Sequence, residues 1–61
     1  MSFGERLSKA LHDAETSQSE LSRLLGIRQP SVNAWVKDKN QPETKRVAEI
    51  ASALNVDAGW L

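Results

Sequence analysis

Sixty-one residues, no cysteine and a formal net charge of zero set the first limits on this chain. A chain so short makes a single domain, 1–61, that buries only about 60% of its unfolded surface, so its stability is modest. The lack of cysteine excludes a disulfide scaffold or a cysteine-ligated zinc and suits a reducing cytoplasm, the lone His12 cannot build a metal site, and no apolar run approaches the roughly 20 residues of a membrane span.

Ser2 followed by Glu5 is a capping box, in which each side chain takes the other's free amide. It predicts a first helix over about Phe3–Glu15, with Phe3, Leu7, Ala10, Leu11 and Ala14 recurring on a core face. This opening segment lacks the basic-then-apolar pattern of an export signal. Thr16 and Ser17 interrupt the periodicity. Ser17 with Glu20 then opens a second helix of about eight residues. Leu21, Leu24 and Leu25 form its apolar stripe, and Gly26 ends it, because glycine takes a left-handed backbone without penalty. Ile27 plugs the turn.

A third helix runs from about Gln29 to Lys37. Pro30 falls in its first turn, where a missing N–H had no intrahelical partner, and so fixes the helix start. Val32 and Trp35 face back toward the leucine stripe, which places Trp35 in the core. Lys37 to Pro42 is a polar loop. A fourth helix spans about Thr44–Leu54, with Val47, Ile50, Ala51 and Leu54 on one face, and Asn55 caps its end. Asp57 caps a last short turn carrying Trp60 and Leu61. No segment alternates with a period of two, so the fold class is all-α.

The stretch Gln18–Trp35 therefore reads as helix, glycine turn, helix. In a DNA-binding helix-turn-helix the second helix lies in the major groove with its N-terminal residues at base edges. Those residues here are Arg28, Gln29, Pro30, Asn33 and Ala34. A glutamine amide can bond adenine N6 and N7 together, which singles out Gln29. Asn33 follows one turn later on the same face. Pro30 and Ala34 can pack against a thymine methyl. Ser31, Lys37, Lys39, Asn40, Lys45 and Arg46 are the candidates for the sugar-phosphate backbone, together with the amides that open the second and fourth helices. Charge is distributed to match. Residues 21–48 hold six cations against Asp38 and Glu43, a net of +4, while the segments on either side are each at −2. Solvated lysines are the ordinary explanation of such an excess; beside a helix-turn-helix it points to phosphate.

Gln18, Leu21, Gly26, Gln29, Val32 and Trp35, followed by Pro42, the IASALNV run at 50–56 and Trp60-Leu61, resemble the Cro/CI-type helix-turn-helix family of lambdoid phage repressors, Cro proteins and their bacterial relatives. The resemblance covers nearly the whole chain. It implies a lambda-repressor-like bundle of about five short helices, with Gln18 contacting phosphate and able to brace Gln29. It also implies a dimer contact through Val56, Ala58, Trp60 and Leu61, although Trp60 can equally close the small core. Two departures stand out. Arg28 occupies the position where the family offers Ser or Thr to cap the reading helix, and Ser22 occupies that of a packed alanine.

The function expected from this resemblance is a non-enzymatic, sequence-specific regulator of transcription. It is a phage or prophage repressor or Cro-like protein, and it binds a palindromic operator in double-stranded DNA as a weak homodimer stabilised on the DNA. It works in the cytoplasm of a bacterial host, with no cofactor, metal, membrane or small-molecule substrate. An antitoxin-type autorepressor is a close alternative. A helical protein-interaction module that does not read DNA is a more distant one, which the zero net charge leaves open. The chain fits either a whole Cro-like protein or the N-terminal domain of a longer repressor.

Overall fold

The computed structural model describes residues 1–61. Four helices carry the chain: α1 over Phe3–Asp13, α2 over Gln18–Leu25, α3 over Gln29–Val36 and α4 over Thr44–Leu54. None is long and apolar enough to cross a membrane. The first two start where their capping boxes place them. Ser2 Oγ accepts the Glu5 amide at 3.1 Å while the Ser2 amide donates to Glu5 Oε1 at 3.0 Å. Ser17 and Glu20 repeat the pattern at 3.0 and 2.9 Å.

All four helices end the same way. The chain turns through a left-handed residue at Glu15, Gly26, Asp38 and Asn55, with φ of 52°, 68°, 56° and 57°. The next amide then reaches back across the last turn: Thr16 to Leu11, Ile27 to Ser22, Lys39 to Ala34 and Val56 to Ala51, each at 2.9 Å. This closure satisfies carbonyls that a helix end otherwise leaves unpaired.

The core gathers Phe3, Leu7, Ala10 and Leu11 of α1, Leu21 of α2, Val32 and Trp35 of α3, and Ile50 and Leu54 of α4. Helix α3 packs on α1 and α2, and α2 packs on α4. Ser22 is buried, and its hydroxyl is satisfied by donating to the Ser19 carbonyl at 2.7 Å. Ile27 is half-buried against the core, as a turn plug should be.

Several expectations need correction. Helix α1 stops at Asp13 because the closure at Glu15 reverses the chain, which leaves Ala14 exposed at the C-cap. Helix α3 stops at Val36, with Lys37 as its C-cap. Leu24 is 64% exposed, since Leu21, Ser22 and Leu25 form the inner side of so short a helix. The expected fifth helix is a single turn. Asp57 does cap it, accepting the Gly59 amide at 2.9 Å, and the Trp60 amide closes on the Asp57 carbonyl at 3.0 Å. Val56 and Leu61 pack on the core, while Ala58 and Trp60 are exposed.

One junction was not anticipated. Gly4 lies buried in the first turn of α1 against the end of α3. A Cβ there would stand 2.8 Å from the Trp35 carbonyl oxygen and would collide with that of Val36. Asp38 completes the junction: Oδ1 accepts the Gly4 amide at 2.9 Å and Oδ2 accepts the Ser2 hydroxyl at 2.6 Å. These two bonds, the Ser2 hydroxyl first, hold the Asp38 carboxyl below its ordinary pKa. Arg6 ties the chain ends together nearby, donating to the carbonyls of Leu61 and Met1.

Candidate nucleic-acid interface

With Val32 and Trp35 turned inward, the helical period leaves Arg28, Gln29, Pro30 and Ser31 exposed and Asn33 and Ala34 half-buried along the outside of α3. Gln29, Pro30 and Asn33 border a shallow hollow of about 300 Å³. Asn33 is not free. Its Nδ2 donates to Gln18 Oε1 at 3.2 Å, which ties the start of α2 to the second turn of α3. Gln18 is thus joined to Asn33 in this structure, whereas the expected brace was to Gln29. Gln29 stands exposed at the helix start, whereas Asn33 lies half-buried within reach of α2.

Arg28 occupies the N-cap of α3 in extended conformation and makes no capping hydrogen bond. Arginine carries only donors, so it cannot accept the first amides of the helix. Arg28 is exposed.

A second, larger hollow of about 520 Å³ opens between α3 and the start of α4. It brings together four residues expected at phosphate, Ser31, Asn40, Lys45 and Arg46, with Trp35 also in its lining. The amides opening α4 face no capping side chain, because Glu43 at the N-cap makes no such bond. Arg46 is partly committed inside the fold. It pairs with Glu49 at 3.0 Å and reaches the Leu25 carbonyl at 3.5 Å. Lys45 is exposed and unpaired. Lys37 and Lys39 lie outside both hollows, one on each side of Asp38, whose carboxylate is turned back onto α1.

Comparison with known proteins agrees with this architecture. The helix-turn-helix family pattern matches residues 6–61. Similar proteins include the HTH-type transcriptional regulators for conjugative element R391 of Providencia rettgeri, for SXT of Vibrio cholerae and for pMERPH of Shewanella putrefaciens. Each is 39% identical over 59 residues, a match that takes in 97% of this chain but only 27% of the relative. With α2, the Gly26 turn and α3 in helix-turn-helix arrangement, the chain belongs to the Cro/CI-type helix-turn-helix family.

Proposed function

We propose that residues 1–61 form the DNA-reading domain of a transcriptional regulator of the repressor type, serving a phage, a prophage or a conjugative element in a bacterial cytoplasm. The observation that carries this reading is the outer side of α3. It presents Gln29, Pro30 and Asn33 around an open hollow, backed by a buried Trp35 and Val32 that hold the helix rigid. Base contacts come from Arg28, Gln29, Pro30, Asn33 and Ala34. Phosphate contacts come from Gln18, Ser31, Lys37, Lys39, Asn40 and Lys45, with Arg46 in a lesser part because it shares its charge with Glu49.

The reading extends to a palindromic operator. Half-sites lie roughly 34 Å apart, about one turn of B-DNA. The Cα envelope of one copy measures 24 × 22 × 21 Å, so two copies so placed touch only at their edges. Trp60 and Ala58 supply the exposed part of that contact, and Val56 and Leu61 support it from below. Such a contact is small, so pairing is weak in free solution and strengthened on DNA.

Selection of bound duplexes from a random pool tests the proposal. One enriched sequence is expected. On it, Gln29→Ala should lose about 1–3 kcal/mol and relax choice at one base pair. Lys45→Gln should reduce the slope of log affinity against log salt by roughly one unit on any duplex. Footprinting should show two inverted half-sites filled cooperatively. A pool that yields no preferred sequence would favour the protein-interaction module instead.

A further inference from the structure

Asp38 lies in the loop between α3 and α4, flanked by Lys37 and Lys39, two cations proposed above for phosphate. It forms an ion pair with neither. Its carboxylate crosses instead to the first turn of α1. Oδ1 accepts the Gly4 amide at 2.9 Å and Oδ2 accepts the Ser2 hydroxyl at 2.6 Å.

The destination suits an anion. The Gly4 amide is one of the α1 donors without an intrahelical partner, and the positive end of the helix dipole lies there. Ser2 Oγ already takes the Glu5 amide, so its own hydrogen is free for Asp38. Gly4 leaves the necessary space, since a Cβ at that position would stand 2.7 Å from Asp38 Oδ2. The Asp38 backbone is left-handed at φ 56°, a conformation that aspartate tolerates better than most residues.

The contact anchors the loop from the inside. Next to it, the Lys39 amide closes on the Ala34 carbonyl at 2.9 Å, so the chain is held at two successive residues. Lys37 follows Asn33 by one turn and continues the outer stripe of α3. Asn40 lines the hollow of Ser31 and Lys45. A loop held in this way loses less freedom when it meets DNA. A carboxylate left loose between the two lysines would offset one of their charges and repel phosphate. We propose that Asp38 is a positioning residue for DNA binding: its clasp on Ser2 and Gly4 holds the loop so that Lys37 and Lys39 meet phosphate with their charges unpaired. The inference rests on the DNA-reading function proposed above.

Duplex DNA of arbitrary sequence serves for the test, because phosphate contacts carry no sequence information. Affinity is measured by fluorescence anisotropy over a range of salt, at a temperature where circular dichroism shows every variant folded. Asp38→Asn removes the charge and keeps the clasp, with Oδ1 accepting the Gly4 amide and Nδ2 donating to Ser2 Oγ. Asp38→Gly removes the clasp as well, while leaving the left-handed turn unstrained. Asp38→Asn should keep the slope of log affinity against log salt. Asp38→Gly should lower that slope by roughly one unit. Replacing Lys37 and Lys39 together with Gln should lower it by roughly two units in the unaltered protein, and by about one in the Asp38→Gly background.

The inference is overturned if folded Asp38→Gly keeps the full slope, since the clasp then only stabilises the domain. It is also overturned if Asp38→Asn and Asp38→Gly tighten binding equally, since the carboxylate then merely repels phosphate. The same holds if removing the two lysines changes the slope equally with and without the clasp. An unaltered protein that binds no duplex overturns the DNA-reading function itself, a distinct result.

Discussion

Helices α1 and α2 begin inside complete capping boxes, whereas α3 and α4 begin with no side chain on their first amides. The difference follows the division of labour across the molecule. At the closed starts, Ser2 and Ser17 use up the amides that would otherwise seek a partner. At the open starts the sequence goes against local preference. Arg28 stands where an acceptor belongs, and Lys45 and Arg46 occupy the first turn of α4, although cations are unfavourable at a helix N-terminus. Places where a sequence breaks local rules tend to be functional. Here they coincide with the two hollows that gather the candidate DNA contacts.

The comparison breaks most sharply if a residue assigned to support turns out to read DNA. Trp35→Ala should destabilise the domain by about 3–5 kcal/mol, a large part of what a domain this small possesses. Thermal unfolding will show this, and a well-folded variant that merely lost DNA affinity would move Trp35 to the interface. Gly4→Ala should follow at about 1–3 kcal/mol, because its Cβ meets backbone carbonyls that cannot step aside. The caps sharpen the contrast directly. Ser17→Ala should lose about 1 kcal/mol, whereas Arg28→Ser should gain up to about 1 kcal/mol of stability and lose DNA affinity. If Arg28→Ser stabilised the domain and bound DNA equally well, the open start of α3 would have no role in binding.

Acid reports on the closed starts alone. The hydrogen bond from the Ser2 amide lowers the pKa of Glu5, that from the Ser17 amide lowers that of Glu20, and the Ser2 hydroxyl and Gly4 amide lower that of Asp38. A folded pKa below the unfolded value means stability that is complete above the ordinary carboxylate range, near pH 4, and lost as pH falls through the lowered values. The thermal midpoint should be flat down to about pH 5 and fall below pH 4, with Asp38→Asn and Glu20→Gln each flattening the fall. All three carboxylates face solvent, so the effect is small. The least effect belongs to Leu24→Ser, expected within about 0.5 kcal/mol in chemical denaturation.

The parts of the fold that could be read in advance are those encoded locally. Both capping boxes, the Gly26 turn, Pro30 in the first turn of α3 and the inward set Val32 and Trp35 are short-range patterns. Leu24 was misplaced because it lies close to the inner face in an eight-residue helix, and only packing on α3 and α4 chooses Leu21 and Leu25. Glu15 and Asp38 take left-handed backbone with no glycine to announce it. Gly4 and Asp38 meet across 34 residues of chain, a distance no periodicity spans. At the candidate interface the residues of α3 were legible from the helical period, but the partner of Gln18 was not. Gln29 and Asn33 lie one turn apart on the same face, and burial against α2 selected Asn33.

The two fastenings of α3 bear on how such a domain can change its target. In front, the Gly26 closure sets where the helix begins; behind, Asp38 clasps the first turn of α1. Inserting or deleting one residue between them would rotate everything beyond it by about 100°. That would swing Trp35 out of the core and Asp38 away from Gly4. The side chains of Arg28, Gln29, Pro30 and Ala34, by contrast, take part in no internal hydrogen bond. On the proposed DNA-reading role, new targets would be reached by exchanging those letters within a helix of unchanged length, and a transplanted helix would fit this scaffold only if cut to the same measure.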